Sequence, residues 1–171
     1  MRVRLDTSIA GAVEFLRALA LVNLRDALAD RDLREELRWR VSAPAGRGFV
    51  YENDDESRAA RGEPPDDEWS SFTALIDEAK EAGLSTRAPL PADCEDLAAA
   101  YGAAILLFQP AAHVEVAICQ PRPPDGMAHA YLYVNGRVFD PAAFNGMSQP
   151  PPDFYGSGES FRLPLTLPEA K

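Results

Sequence analysis

Hydrophobic residues recur at helical spacing in three parts of the chain. Near the N-terminus they are three to five positions apart, which is typical of an amphipathic helix (Ile9, Val13, Leu16, Leu19, Leu24 and Leu28). A shorter run over 69–83 has similar spacing and ends at Gly83, a residue common just after helices. A third run begins at Cys94 and keeps the same periodicity (Leu97, Tyr101, Ile105 and Phe108). The pattern therefore predicts three helices, and residues 30–40, with mixed charge, continue the helical character of the first.

Alternation of apolar and polar residues predicts strands after these helices. Residues 112–119 form one candidate strand. Residues 128–134 and 137–140 flank Asn135 and Gly136, a dipeptide typical of the two-residue loop of a β-hairpin. Helices followed by consecutive strands predict an α+β fold, with N-terminal helices packed on an antiparallel sheet.

The composition is that of one globular domain. The chain has 171 residues, 46% of them hydrophobic, which suits a single domain over 1–171 with its core at about 69–141. Residues 52–68 are acidic and contain a Pro-Pro pair, so they predict an exposed loop; a docking surface for a basic partner is the second interpretation. Residues 145–171 are rich in Pro, Gly and Ser and predict a meandering surface segment. Three aromatic residues are expected to pin it (Phe154, Tyr155 and Phe161).

Charge and hydropathy exclude several classes of partner. The net charge of −10 argues against nucleic-acid binding, which needs a concentrated basic surface. No apolar run approaches the roughly 20 residues that span a bilayer, so no membrane partner is expected. The N-terminal residues meet Asp6 before any apolar core, which argues against a secretory signal and for a reducing compartment with free Cys94 and Cys119. Without a zinc-type spacing or a Gly-rich phosphate loop, we expect neither a metal nor a cofactor.

The stretch "PADCEDLAAAYG" places a cysteine at the start of a predicted helix. Asp93 is a good N-cap residue, so Cys94 takes the first helical position, where the helix dipole stabilises an anion. Backbone N–H groups at a helix start can also bind an oxyanion. Glu95 and Asp96 oppose a thiolate, but they are predicted to project away from the Cys94 face, at about 100° and 200° around the helix. From helix position alone, an ordinary structural cysteine is the simpler interpretation.

A thiol nucleophile needs a base, and the base needs an orienting group. Of the two histidines, His129 lies on the same face of the predicted hairpin as Asp140, with backbone positions roughly 7–8 Å apart. That separation suits a hydrogen bond between imidazole and carboxylate. His113 has no comparable partner and is interpreted as a strand residue. Two alternatives stay open: an ordinary surface pair, and a metal site of His113, His129 and Asp140, which leaves Cys94 unexplained.

The segments "DCEDLAA" and "HAYLYVNGRVFDP" together resemble the transglutaminase-like branch of the papain-type cysteine enzymes. Members of that family show a Gly-Asp-Cys-x-Asp helix start, a His-Ala-aromatic strand and a hairpin that ends in Asp-Pro. The resemblance covers residues 91–141. It implies the family fold, with Cys94 as nucleophile, His129 as base and Asp140 as the residue that orients the base.

The resemblance has departures and a weaker upstream part. Ala92 stands where the family usually has glycine, and Tyr131 stands where tryptophan is common; neither position belongs to the triad. Upstream, "VYEND" and "EWSSFTALI" are similar to small transglutaminase-like proteins encoded by tailed phages. Trp69 is the one candidate there for a side chain that donates to the oxyanion.

Two functions of different classes follow from the resemblance. The first is a hydrolase that cleaves an amide or peptide bond of a peptide or protein substrate; an amine acceptor in place of water makes it an acyl transferase. The second is a catalytically silent structural or assembly protein of a phage particle, such as its tail, with other phage structural proteins as partners. The location implied is the cytoplasm of a host cell or a virion.

Overall fold

A computed structural model describes residues 2–4, 8–53, 62, 68–120, 128–148, 154–156 and 159–166. The helices are α1 Ile9–Ala29, α2 Arg31–Ser42, α3 Phe72–Glu81, α4 Cys94–Phe108 and α5 Pro141–Phe144, with a 3-10 turn at Phe154–Gly156. The strands are β1 Arg2–Arg4, β2 Phe49–Tyr51, β3 Glu68–Ser70, β4 Leu90–Ala92, β5 Val114–Gln120, β6 His129–Val134, β7 Arg137–Phe139 and β8 Glu159–Leu165. Most of the predicted acidic loop over 52–68 lies outside the described residues.

The longer helices begin at side chains that accept hydrogen bonds from their first turns. Ser8 caps α1, Asp30 caps α2, Ser71 caps α3 and Asp93 caps α4. Helix α4 is rich in alanine and is buried around most of its circumference, as expected for a central helix. Small residues let it approach the sheet closely: a Cβ at Gly102 would lie 3.2 Å from the Leu165 side chain on β8.

Four strands form an antiparallel sheet in the order β7-β6-β5-β8, which confirms the predicted α+β class. The hairpin has the register that a two-residue loop at Asn135 and Gly136 sets, with Leu132 opposite Phe139. Asn135 and Gly136 both have positive φ, 52° and 76°, as a type I′ turn requires. The prediction for His113 was wrong, because β5 begins at the next residue.

The prediction of a meandering surface segment after residue 145 was wrong in one part. Residues 159–165 form β8, which pairs with β5 along its whole length. The signal for this strand is the alternation of apolar residues (Phe161, Leu163 and Leu165). Pro164 obscures that signal, since proline cannot donate to a ladder; β8 accommodates it as an edge strand of the sheet.

The sheet has two different faces. One face packs against α1 and α4 and supplies the main core, which includes Val116 and Leu132. The opposite face carries a smaller cluster, in which Ala117, Cys119 and Tyr131 are fully buried beneath Phe154 and Tyr155. No helix among the described residues is long and apolar enough to cross a membrane.

A buried arginine ties α2 to the strands that lead into α4. The Arg40 side chain is 3% exposed and pairs with Glu36 at 2.7 Å. Its guanidinium also donates to the backbone oxygens of Gly48, Thr86 and Ala88, which flank β2 and β4. Strands β2 and β4 pair in parallel, so this contact fixes the backbone that delivers Cys94.

Candidate active site

Cys94 is the first residue of α4, as predicted. Strand β4 leads directly into the cap, where the Asp93 carboxylate accepts from the backbone N–H of Asp96 at 3.2 Å. The thiol is half-buried, and its sulfur lies 3.5 Å from the backbone nitrogen of Ala130 on β6. The helix start therefore places the sulfur against the strand that carries His129.

His129 and Asp140 form a buried hydrogen-bonded pair. The Nε2 atom of His129 lies 2.8 Å from Oδ2 of Asp140, and each side chain is only 6% exposed. The other carboxylate oxygen accepts from the backbone N–H groups of Ala142 and Ala143, both at 3.0 Å, so Asp140 also caps α5. Burial acts to raise the pKa of Asp140, but the hydrogen bond and charge of His129 outweigh it and lower that pKa below its ordinary value.

His129 is held in its protonated form by its two neighbours. Burial acts to lower its pKa, but the hydrogen bonds with Asp140 and then with Cys94 outweigh it and raise the pKa to about 9. Because Nε2 faces Asp140, the second ring nitrogen, Nδ1, is the one left for the thiol. The structure thus places the Cys94 sulfur against β6, beside the hydrogen-bonded pair of His129 and Asp140.

The predicted direction of Glu95 was wrong. Its carboxylate does not project away from the cysteine: Oε2 lies 3.0 Å from the Cys94 sulfur, and Glu95 is only 7% exposed. Adjacent helical positions do not face each other, but the long Glu95 side chain reaches back to the thiol. The Asp96 carboxylate, in contrast, accepts from the backbone N–H of Ser70 at 2.6 Å and holds β3 against α4.

An aromatic cover lies over the histidine, formed by Tyr131, Phe154 and Tyr155. The rings of His129 and Tyr131 stack at 6.1 Å, and Phe154 meets His129 edge-on at 5.6 Å. The Tyr155 hydroxyl donates to Oδ2 of Asp140 at 2.6 Å. From the sequence, Phe154 and Tyr155 were expected only to anchor the last segment to the surface, and nothing in their spacing connects them to Asp140.

Tyr51, at the end of β2, lies beside the site and was missed by the sequence analysis: it is opposite Ala92, two residues before Cys94. Burial raises the pKa of its hydroxyl to about 12, and the charges of Cys94, Asp93 and Glu95 act in the same direction. Its neighbour Asn53 donates to the hydroxyl at 3.5 Å.

The other residues considered from the sequence are Trp69, His113 and Cys119. Trp69 is buried, with its ring 5.5 Å from that of Phe15. His113 is 65% exposed at the far end of the hairpin, where its backbone bonds Asn135. Within the described part of the chain, no three His, Cys, Asp or Glu side chains are grouped to hold a metal ion. Cys119 is a buried free thiol opposite His129, and burial raises its pKa to about 12.

Comparison with known proteins identifies no relative: no protein-family model, curated protein or solved structure matches this chain.

Proposed function

We propose that the chain is a transglutaminase-like cysteine enzyme that cleaves an amide or peptide bond through Cys94, His129 and Asp140. The observation that carries the proposal is their proximity: the Cys94 sulfur lies against Ala130, the residue after His129, and the His129 imidazole is hydrogen-bonded to Asp140. A nucleophile, a base within its reach and a group that orients the base are the parts that covalent acyl chemistry requires.

Each residue has a defined step in this chemistry. His129 holds the proton that the Cys94 thiol gives up, and the sulfur attacks the carbonyl carbon of the substrate. Backbone N–H groups at the start of α4 stabilise the oxyanion that forms. The protonated His129 then gives its proton to the leaving amine, and a thioester remains on Cys94. Water releases the acid in a hydrolase, and an amine releases a new amide in a transferase.

Thiol alkylation tests the proposal without knowledge of the substrate. Iodoacetamide at pH 6, followed by peptide mass spectrometry, should label Cys94 faster than the thiol of a short unstructured peptide. His129→Ala should slow this labelling at pH 6 and have little effect at pH 9.5, where any accessible thiol ionises. Asp140→Asn should act in the same direction, but more weakly, because it only orients and supports the ring. Labelling of folded wild type no faster than the peptide contradicts the proposal.

A second assay distinguishes hydrolysis of the thioester from transfer of its acyl group to an amine. Casein incubated with the protein should yield new amino termini if water is the acceptor. Incorporation of a fluorescent primary amine would instead identify acyl transfer. Cys94→Ala is the matched control and should abolish either product.

A catalytically silent structural or assembly protein with the same fold is the second candidate. The observation that favours it is the contact between the thiol and the buried Glu95 carboxylate, because a thiol that donates to a carboxylate does not direct its proton to His129. This function requires slow labelling of Cys94 and a Cys94→Ser protein that still assembles. The proposed enzyme requires the opposite labelling result.

A further inference from the structure

Tyr155 is held at both its backbone and its side chain. Its carbonyl oxygen accepts from the hydroxyl of Tyr131 at 3.1 Å, and Tyr131 is itself fully buried in the sheet. Its own hydroxyl donates to Oδ2 of Asp140 at 2.6 Å. Its ring meets Tyr131 edge-on, with centroids 5.0 Å apart. The 3-10 turn is therefore fixed so that one hydroxyl points at the carboxylate.

Each of the two oxygens of the Asp140 carboxylate accepts two hydrogen bonds. Oδ1 accepts from the backbone N–H groups of Ala142 and Ala143, and Oδ2 accepts from His129 and Tyr155. Two donors thus share the oxygen that faces the imidazole. Each donor to a carboxylate stabilises its negative charge, and the effect is large in a site shielded from water. The Tyr155 hydroxyl consequently reduces the negative charge on Oδ2 that is available to stabilise the His129 imidazolium.

We propose that Tyr155 is a positioning residue of the site: its hydroxyl fixes Oδ2 of Asp140 against His129 and limits how tightly the imidazole holds its proton. The proposal rests on the proposed function only in giving this contact a role in catalysis, because an imidazolium that holds its proton too tightly gives it poorly to the leaving amine. Without the hydroxyl, Oδ2 serves His129 alone, and the imidazolium is stabilised further.

Several titratable groups face His129 from the elements packed around it. Asp140 follows the hairpin, Cys94 comes from α4, and Cys119 lies opposite His129 on β5. A substitution that tests the Tyr155 hydroxyl has to leave these groups in place. Tyr155→Phe does so, since it keeps the ring and removes only the oxygen.

The test is a titration of the histidine side chains followed by NMR in ¹⁵N-labelled protein. In Tyr155→Phe, the midpoint of His129 should rise by about half a unit to one unit, a three- to tenfold gain in proton affinity. The exposed His113 provides an internal reference signal in the same spectra. Tyr133→Phe is the matched control, because Tyr133 lies on the same face of β6; it should leave the His129 midpoint unchanged. A midpoint that moves by less than 0.2 units, or falls, in Tyr155→Phe overturns the proposal.

A second variant covers the case in which Tyr155→Phe does not fold. 3-Fluorotyrosine placed at position 155 alone keeps the hydroxyl but makes it a stronger donor. The His129 midpoint should then fall, and an unchanged or raised midpoint refutes the proposal. The titration needs no substrate and can be repeated in Cys94→Ser protein. If the His129 midpoint shifts as expected but Cys94 labels no faster than the peptide, the proposed function is refuted and the role of Tyr155 is retained. If Cys94 labels fast but the midpoint does not shift, the role of Tyr155 is refuted and the proposed function is retained.

Discussion

The raised pKa of His129 should make the stability of the folded protein depend on pH. An unperturbed histidine in the unfolded chain has a pKa of about 6.5, and the folded protein raises this to about 9. Below pH 6.5 both states bind the proton, and the whole stabilisation is present. Between these two values only the folded state binds it, so the free energy of unfolding decreases as the pH rises. Above the folded pKa the stabilisation is lost.

The magnitude follows from the difference between the two pKa values. One unit corresponds to about 1.4 kcal/mol, so the whole contribution is on the order of 3 kcal/mol. From pH 6 to pH 8.5, the free energy of unfolding should decrease by about 2 kcal/mol. The lowered pKa of Asp140 affects stability only at acidic pH. The raised pKa of Cys119 lowers stability only near the top of this window, by about 0.4 kcal/mol at pH 8.5, where the unfolded thiol begins to ionise. Most of the decrease in the chosen window is therefore due to His129.

Urea unfolding followed by circular dichroism measures this decrease at constant ionic strength. His129→Gln should remove most of the pH dependence in the window. His113→Gln is the matched control, because it removes the exposed histidine and should keep the decrease of the wild type. Equal decreases in wild type and His129→Gln would refute the assignment of a protonated, buried imidazole.

Two further substitutions test contacts near the site. Glu95→Gln should speed alkylation of Cys94 at pH 7 by about three- to tenfold, because it removes a negative charge 3.0 Å from the sulfur. Glu81→Gln, at an exposed position, should not change the rate of alkylation. A slower rate in Glu95→Gln would contradict the reasoning. Arg40→Met should lower the free energy of unfolding by about 3 kcal/mol in urea, because buried backbone carbonyls lose their donor. Arg38→Met, on the exposed side of the same helix, should cost less than about 0.5 kcal/mol, and equal costs would disprove the role of Arg40.

The parts of the fold that follow from short-range rules were predictable from the sequence. Asn135 and Gly136 alone determine a type I′ turn, and the turn sets the hairpin register. Asp93 likewise marks the start of α4, because capping depends on residues three positions apart. Together these two local features place the proposed nucleophile and base where the structure has them. Asp140, predicted as the last residue of the second hairpin strand, lies one residue beyond β7 and caps α5 instead.

The contacts that the sequence did not predict depend on long-range packing or on side-chain conformation. The edge strand β8 lies in a segment whose proline content suggested irregular structure, and only its pairing with β5 reveals it. The reach of Glu95 to the thiol is a choice of rotamer. The hydrogen bond from Tyr155 to Asp140 joins two segments through the arrangement of the sheet, and no spacing rule encodes such a contact.

The pairing of β8 with β5 also affects how the chain reaches its native state. Helix α1 and strand β8 lie at opposite ends of the described chain, yet they pack against each other. The apolar stripe of α1 therefore cannot be fully buried before β8 joins the sheet, and loop-closure entropy opposes that late encounter. High contact order of this kind slows folding and leaves apolar surface exposed while the chain is incomplete. During synthesis on the ribosome, the segment that covers His129 and the strand that completes the core would both emerge after α1, α4 and the hairpin, so the site is assembled only once β8 has joined the sheet.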